Sequence, residues 1–320
     1  MSPALGLTEE QKEIQRTAKE FAKKELYPYM DEWDAKGELP LDALKKAGEL
    51  GFGAIYCNEE YNGAGLGRYE AALAFEQLAG GCTSTAAYMA VHNMVPWMID
   101  RFGNEEQKRK YIPDLASFQK LASYCLTEPG SVNGSKAFIS GSGVSSVYLV
   151  MMRLADGPQG PKGIFSLIMT PDMPGRINIA ACSLGAAQMS LDLAISHTKV
   201  REAFGKTISQ FQWTQFKLAE MAVKLITSRL LLREACFHVE NNTPNASSYS
   251  AMAKMYITDE AFNVINQAIQ MYGGYGMLKD YPLQQYLRDC RVHQIIEGTN
   301  EIMRLVVARN LLSNEIYNEV

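Results

Sequence analysis

The stretch SQFQWTQFKLAEMAVKLITSRLLLREACFHVE, residues 209–240, carries apolar residues at helical spacing over its whole length and contains neither glycine nor proline. This pattern predicts one long helix. Residues 177–200, 246–273 and 284–312 have the same periodicity. Long helices that follow one another with short connections pack as an antiparallel bundle. We therefore predict a C-terminal four-helix bundle over residues 173–320.

The N-terminal part of the chain carries its own helix start and stop signals. Thr8 followed by Gln11 fits a capping box, and apolar residues from Ile14 onward recur at helical spacing until Pro28. Further helices are predicted over residues 41–50, 68–78 and 83–101 and, after an N-cap at Asn104 paired with Gln107, toward Tyr111. Residues 1–115 are therefore predicted to form an N-terminal helical domain.

Residues 122–170 have a different character, because their short apolar runs are interrupted by glycine, serine and proline. The runs 137–139, 147–152 and 164–169 predict strands, and DGPQGPKG (156–163) predicts a turn or surface loop. We predict a small β domain over residues 116–172. The expected fold class is mainly α, with an N-terminal helical domain, a small middle β segment and a C-terminal four-helix bundle.

The composition argues against several classes of protein. The formal net charge of -4 gives no electrostatic attraction for nucleic acid. The longer apolar runs are far shorter than the roughly 20 residues of a membrane-spanning helix. The six cysteines lack a CxxC pair and histidines at metal-ligand spacing, so neither a metal site nor disulfides are expected. We expect a soluble protein, and the N-terminus shows no targeting segment.

One carboxylate has surroundings suited to proton transfer. In RVHQIIEGTNEIMR (291–304), Glu297 follows Ile295 and Ile296 and precedes Gly298, which interrupts a helix. Desolvation beside two apolar side chains would raise the carboxyl pKa toward the range of a general base at neutral pH. A glutamate here fits equally well as the cap or dipole partner of a helix N-terminus. The local sequence leaves both interpretations open.

Two further segments could hold a nucleotide. QMYGGYG (270–276) is a glycine cluster where backbone amides could approach a phosphate, although a helix C-cap and turn explain it as well. Arg201, followed by Phe211 and Gln212, places a cation and a ring at a helix end, which an exposed arginine and a core phenylalanine also explain. The segment GAGLG (63–67) is interpreted as a linker.

The histidines suggest no catalytic group. His92, His197, His238 and His293 are isolated from one another in sequence, and none has a serine or cysteine partner nearby. Surface positions or satisfied core positions are expected for each of them.

Several segments spread over nearly the whole chain are similar to one enzyme family. They are YCLTEPGS (124–131), GSKAFISG (134–141), GRINIA (175–180), REAFG (201–205), QMYGGYG (270–276), LKDY (278–281) and RVHQIIEGTNEIMR (291–304). In this order they resemble motifs of the acyl-CoA dehydrogenases.

This resemblance implies a reaction. Glu297 matches the family's catalytic glutamate, which removes the α-proton of a CoA thioester while flavin N5 takes the β-hydrogen as hydride, giving an enoyl-CoA. FAD is the implied cofactor, and a short branched-chain acyl-CoA is the expected substrate. An electron-transferring flavoprotein as electron acceptor, a homotetramer and the mitochondrial matrix follow from the same resemblance.

The resemblance also implies site residues beside Glu297. The implied FAD-binding residues, some of them acting across a subunit interface, are Tyr124, Cys125, Leu126, Thr127, Glu128, Pro129, Gly130, Ser131, Phe138, Ile139, Ser140, Arg201, Phe211, Gln212, Gln270, Met271, Tyr272, Gly273, Gly274, Thr299, Asn300 and Glu301. The implied substrate-side residues are Ser131, Met173, Pro174, Gly175, Arg176 and Arg309.

Compared with the family, this sequence is short in its β domain. After Ser131 the chain passes directly to residues 132–134, and after Thr170 it passes through residues 171–174 to Gly175. The strands that the family has at these two points are missing. A remnant of three or four strands would leave open edges and a partial flavin wall.

The short β domain motivates a second hypothesis. The chain could be a non-catalytic isoform or paralogue that keeps the helical, oligomerising scaffold and binds FAD poorly or not at all. The visible absorption of the purified protein would separate the two hypotheses, since bound flavin is yellow.

Overall fold

The computed structural model describes residues 6–127, 136–153, 164–165 and 175–312. The chain divides into two compact units, each assembled from separate stretches. The first unit contains residues 1–38, 68–87 and 176–320, and the second contains residues 39–67 and 88–175. The mainly α fold class is confirmed, whereas the three predicted domain ranges stay a prediction.

The described α-helices are α1 (Glu9–Phe21), α2 (Met30–Lys36), α3 (Leu41–Glu49), α4 (Arg68–Gly81), α5 (Thr83–Phe102), α6 (Glu105–Ala116), α7 (Gly175–Val200), α8 (Gln212–Glu240), α9 (Ala246–Tyr272), α10 (Leu283–His293) and α11 (Asn300–Leu312). The described strands are β1 (Ala122–Cys125), β2 (Val147–Val150), β3 (Met152–Arg153), β4 (Ile164–Phe165), β5 (Glu202–Ala203) and β6 (Lys206–Thr207).

Both predicted capping boxes are present. The backbone N–H of Gln11 donates to Thr8 Oγ1 over 3.2 Å, and the Thr8 N–H donates back to the Gln11 side chain over 3.1 Å. Asn104 and Gln107 make the same reciprocal pair at the start of α6. Each box satisfies amide groups that have no partner inside their helix.

The first unit has a close contact between α4 and α7. A Cβ atom added to Gly185 of α7 would lie 2.0 Å from the backbone oxygen of Glu76 on α4, so only glycine permits this approach. The buried Glu76 carboxylate accepts hydrogen bonds from Arg229 of α8, and Arg229 Nη2 also donates to Gln188 over 2.7 Å. These side chains tie α4, α7 and α8 together.

Helix α7 is long and apolar enough to cross a membrane by length and composition alone. Its most apolar window has a mean hydropathy of 1.3, but 67% of that window is buried inside the protein. This burial is typical of a core helix.

In the second unit, His92 of α5 joins α6 to β1. Its Nε2 lies 3.0 Å from the Leu115 carbonyl oxygen, and its Nδ1 accepts the Ala122 N–H over 3.1 Å. Burial lowers the pKa of His92 to about 4, which keeps the ring neutral in this role. Strand β1 pairs in parallel with β2, with Ala122 opposite Val147.

Two predicted elements are wrong in detail. Residues 284–312 form two helices, α10 and α11, because Glu297 and Gly298 adopt positive φ angles of 56° and 91° that no α-helix accepts. The predicted strand at residues 137–139 is absent. Phe138 there has a φ of 55°, and Gly141 lies in a turn with a φ of 77°.

The other strand predictions lie close to the observed elements. The run 147–152 becomes β2 and the start of β3, and the run 164–169 begins with β4. Residues 166–169, like the predicted loop at 156–163, lie outside the described residues.

Candidate active site

Glu297 lies in the turn between α10 and α11, in a backbone conformation that side chains rarely adopt. Its φ is 56°, and the following Gly298 has a φ of 91°. The second position requires glycine because of this φ angle; a Cβ atom there would also lie 2.6 Å from Cε of Met303, the flexible end of a side chain that can shift. Strained positions of this kind persist where the surrounding structure holds them, and they are frequent at functional sites.

The helix-cap interpretation of Glu297 does not fit this geometry. The residue before α11 is Thr299, and its hydroxyl accepts the N–H of Ile302 over 3.4 Å. Glu301 is the acidic residue in the first turn of the helix. The cap and the dipole partner are therefore Thr299 and Glu301, which leaves the Glu297 carboxyl for another role.

Burial raises the pKa of the Glu297 carboxyl to about 7, while the positive charges of Arg176 and Lys254 act in the opposite direction. Arg176, predicted on the substrate side, comes from the first turn of α7. Burial lowers the pKa of Arg176, and the charge of Glu297 opposes this effect. Among the described residues, Arg176 Nη1 has no hydrogen-bond partner. The base candidate thus lies beside a guanidinium group with unused donor capacity.

A second feature of the first unit is a cavity of about 400 Å³. Six of the implied FAD-binding residues line it together: Arg201, Gln270, Met271, Tyr272, Gly273 and Gly274. The remaining lining residues are His197, Ile208, Tyr275 and Leu278. Residues about 70 positions apart in the sequence, predicted as parts of one binding site, therefore meet at one cavity.

The cavity lining suits a phosphate-containing ligand. It includes the cationic Arg201 and the imidazole of His197, and none of its residues carries a carboxylate. A Cβ atom at Gly273 or at Gly274 would meet nothing within 4 Å, so both backbones face open space. Gly273 combines a φ of 60° with a ψ of -138°, a conformation essentially restricted to glycine.

Phe211 and Gln212 lie at the start of α8 and are not among the residues that line this cavity. The ammonium group of Lys206 lies 4.3 Å from the centre of the Phe211 ring. Ile208 N–H donates to the Arg201 carbonyl oxygen over 2.8 Å, which closes the β5–β6 hairpin. The structure thus brings Phe211 near Arg201 through this hairpin.

The implied flavin-side segments lie in the second unit. Tyr124 and Cys125 belong to β1, and Leu126 and Thr127 follow it. The Ala137 N–H donates to the Thr127 carbonyl oxygen over 2.9 Å.

The neighbouring segment Phe138, Ile139 and Ser140 is linked to β1 as well. Ser123 Oγ donates to the Ser140 carbonyl oxygen over 2.6 Å, and the Phe138 side chain is 95% exposed. The predicted Glu128, Pro129, Gly130, Ser131, Met173 and Pro174 lie outside the described residues.

The remaining predicted residues have different surroundings. The buried Asn300 side chain donates to Thr258 Oγ1 over 2.9 Å and to the carboxylate of Asp259 over 2.8 Å, so its amide is committed to the protein interior. Arg309 is exposed on α11, and Gly175 is buried at the first position of α7.

Sequence reasoning missed three features. His197 lines the cavity and stacks on Tyr272, with ring centres 4.0 Å apart. Its position four residues before Arg201 on a helix was a usable signal. The buried His293 Nδ1 lies 2.8 Å from Ser183 Oγ. The two residues are 110 positions apart, so this core contact could not be predicted from the sequence. The third feature is the buried Lys254, described below.

Comparisons with known proteins establish the family of the chain. The acyl-CoA dehydrogenase N-terminal domain matches residues 8–119, and the acyl-CoA dehydrogenase C-terminal domain matches residues 165–312. Mitochondrial isobutyryl-CoA dehydrogenase from Bos taurus is 42% identical, over 98% of this chain and 91% of that protein. The chain belongs to the acyl-CoA dehydrogenase family.

Two solved structures extend the comparison. Butyryl-CoA dehydrogenase from Megasphaera elsdenii matches with a TM-score of 0.86 and 28% identity, over 98% of this chain and 100% of that one. A structure described as the electron transferring flavoprotein of Acidaminococcus fermentans matches with a TM-score of 0.88 and 32% identity, over 98% and 100%. As an acyl-CoA dehydrogenase, the chain is an oxidoreductase acting on CH–CH bonds with FAD as cofactor.

The comparison also shows that this chain is shorter than the relative it aligns with. The alignment with the bovine protein extends over 381 positions, 61 more than the 320 residues of this chain. At least that many aligned positions therefore have no residue in this acyl-CoA dehydrogenase.

Proposed function

We propose that the chain oxidises a short branched-chain acyl-CoA, such as isobutyryl-CoA, to the α,β-enoyl-CoA, with Glu297 as the general base. The observation that carries this proposal is the Glu297 carboxyl itself. It lies in a glycine-dependent turn, it is not used as a helix cap, and its pKa is raised to about 7.

The properties of Glu297 suit the removal of a weakly acidic α-proton. A base with a pKa near the working pH is substantially deprotonated and still binds the proton once it is transferred. A desolvated carboxylate is also a stronger base than one in water. The positive charges of the neighbouring Arg176 and Lys254 lower the pKa of this carboxyl and so favour its ionised form.

The residues around the 400 Å³ cavity would hold part of FAD. Arg201 would pair with a phosphate charge, and the open backbones of Gly273 and Gly274 would let the phosphate or ribose approach closely. When bound, FAD supplies the acceptor for the β-hydrogen of the substrate.

The substrate class and the location rest on similarity. The bovine relative named above is an isobutyryl-CoA dehydrogenase and is mitochondrial. We infer the same acyl preference and the mitochondrial matrix for this chain. The electron acceptor would be an electron-transferring flavoprotein, in keeping with the family and the description of the Acidaminococcus structure.

A surface of α8 supports the inferred homotetramer. Phe216, Val223, Leu230 and Phe237 are large apolar side chains that recur every seven residues along this helix, and each is more than half exposed. A row of this kind on one long helix is typical of a helix-helix interface. We call this row of four side chains the α8-stripe, and we assign it to contact with a second copy of the chain.

A second candidate function is a helical, oligomerising scaffold without catalysis. It is favoured by the 61 or more missing aligned positions. Such a protein would keep the α8-stripe and fail to retain FAD.

Flavin binding and turnover separate the two candidates. The purified protein should show the visible absorption bands of bound flavin and should reduce an artificial electron acceptor with isobutyryl-CoA faster than with butyryl-CoA or glutaryl-CoA. A colourless protein that takes up no added FAD would contradict the dehydrogenase and support the non-catalytic scaffold. A yellow protein that prefers a straight-chain substrate would contradict only the acyl preference.

A further inference from the structure

Lys254 of α9 is a completely buried cation next to the turn that carries Glu297. Its Nζ donates to the carbonyl oxygen of Gly298 over 2.7 Å and to Oδ1 of Asn300 over 2.8 Å. The side chain is 0% exposed. Burying an ammonium group is costly, and both of these hydrogen bonds go to neutral oxygens. The two hydrogen bonds therefore do not by themselves offset the cost of burying the Lys254 charge.

The same part of α9 holds the turn at several points. Asp259 accepts from the side chains of Gln294 and Asn300, each over 2.8 Å, and from Arg304 over 2.8 Å. Together with Lys254, this carboxylate fixes positions before and after Glu297. The left-handed conformation of Glu297 and Gly298 is thus maintained by contacts from a neighbouring helix.

The charges around Lys254 explain why it can be buried. Burial lowers the pKa of Lys254 to about 8, and the negative charges of Glu297, Asp259 and Glu301 oppose this effect. Arg176 acts in the same direction as burial. The nearby His293 is neutral, since burial lowers its pKa to about 3.

We propose that Lys254 is a positioning residue for the base: its ammonium group holds Gly298 and Asn300, fixes the turn that carries Glu297, and acts on the Glu297 carboxyl through its charge. The proposal rests on the assignment of Glu297 as base. Without the charge, Glu297 binds its proton more tightly and is protonated over more of the working pH range. Without the hydrogen bonds, the turn loses its attachment at Gly298.

The test compares Lys254→Met and Lys254→Gln with Thr258→Val. Both lysine variants remove the charge, and the glutamine variant keeps a donor for the Gly298 carbonyl oxygen. Thr258→Val is the matched control, because Thr258 Oγ1 accepts from Asn300 in the same network without carrying charge. Should the methionine variant fail to fold, the glutamine variant still decides.

Two readouts are needed. The first is the pH dependence of kcat/KM for isobutyryl-CoA, whose acidic limb reports the pKa of the base in the free enzyme. The second is a 13C carboxyl NMR titration of glutamate-labelled protein, with the Glu297 signal assigned by its loss in Glu297→Gln. This second readout requires no turnover, so it tests the effect of Lys254 on Glu297 even if the protein proves to have no dehydrogenase activity.

Both lysine variants should raise the pKa of Glu297 by about one unit, the size of effect expected from one nearby charge. At neutral pH kcat/KM should then fall about fivefold and recover in part at higher pH. Thr258→Val should leave the titration at the wild-type position. A Glu297 titration that is unchanged in both lysine variants, or shifted equally in Thr258→Val, overturns the proposal.

Discussion

His197 and Tyr272 stack with their ring centres 4.0 Å apart and their planes 19° from parallel, and both line the cavity next to Gly273 and Gly274. This stack joins α7 to the end of α9 and gives the cavity a rigid aromatic side. Burial lowers the pKa of His197, with Arg201 adding to the effect, so the ring is neutral near pH 7. The fixed positive charge at the cavity is therefore that of Arg201.

Gly274→Ala should weaken FAD binding about tenfold or more and leave the melting temperature of the FAD-free protein unchanged. The added methyl group would meet no protein atom within 4 Å and would occupy only the space assigned to the ligand. Equilibrium titration with FAD, followed by flavin fluorescence, measures this change. Gly80→Ala is the control, since its methyl group would meet its nearest neighbour at 3.8 Å, an ordinary contact, and Gly80 lies outside the cavity lining. Equal FAD affinity in both variants would contradict the cavity assignment.

Glu297→Gln should reduce kcat by a factor of about a hundred to ten thousand, because it removes the proton acceptor while keeping the shape of the side chain. FAD content and the dissociation constant for acyl-CoA should change little. Stopped-flow measurement of flavin reduction gives the chemical step directly. Glu10→Gln, an exposed carboxylate of α1, is the control and should behave as wild type. Substantial flavin reduction by Glu297→Gln would exclude this residue as the base.

The same substitution should change how stability depends on pH. The Glu297 pKa is about 7 in the folded protein, against an ordinary value of 4.5. Because its folded pKa is raised, ionisation of Glu297 lowers the stability of the folded state as pH rises from about 4.5 to about 7. The melting temperature of Glu297→Gln relative to wild type should therefore increase by a few degrees across this window, as followed by circular dichroism. A difference that stays constant from about pH 5 to about pH 7 would show that the carboxyl is not desolvated.

The sequence contained the signals for most helices and for the chemistry of the turn. The capping boxes and the glycine after Glu297 are local features, and local features survive in any tertiary context. The sequence marked an interruption at Gly298 but not the separation into α10 and α11, because apolar periodicity continues on both sides of the six-residue turn at 294–299. Periodicity alone cannot distinguish one long helix from two short ones that bury the same face.

Residue chemistry alone singled out Glu297, Arg201 and the glycine cluster at 270–276 but left another explanation open for each; the family resemblance joined them into one site. Arg201 and Gly274 are 73 positions apart, and only the packing of α7 beside α9 brings them to one cavity. Lys254 was missed for a physical reason, since a lysine within a helical stretch is normally exposed. Its burial depends on the turn at Gly298, which lies 44 residues later in the chain.

Gly185→Ala should destabilise the protein by about 3 kcal/mol, because its Cβ atom would overlap the Glu76 carbonyl oxygen at 2.0 Å and force α4 and α7 apart. Gly80→Ala on the facing helix is the matched control. Its Cβ atom would have its nearest neighbour at 3.8 Å, an ordinary contact, and a helical alanine is stabilising by up to about 1 kcal/mol over glycine. Thermal and urea unfolding of both variants measures the difference. Equal stability of the two variants would mean that the helices separate without cost.

Leu230→Asp should convert the assembled protein to smaller species while its helix content stays the same. Leu230 is 60% exposed in the single chain, so the charge costs little there, but burial of an unpaired carboxylate between two copies is strongly unfavourable. Analytical ultracentrifugation at several protein concentrations measures the distribution of species. Leu41→Asp on α3 is the control, because it places the same charge at an exposed leucine outside the α8-stripe. If the two variants sediment identically, the α8-stripe is not a subunit interface.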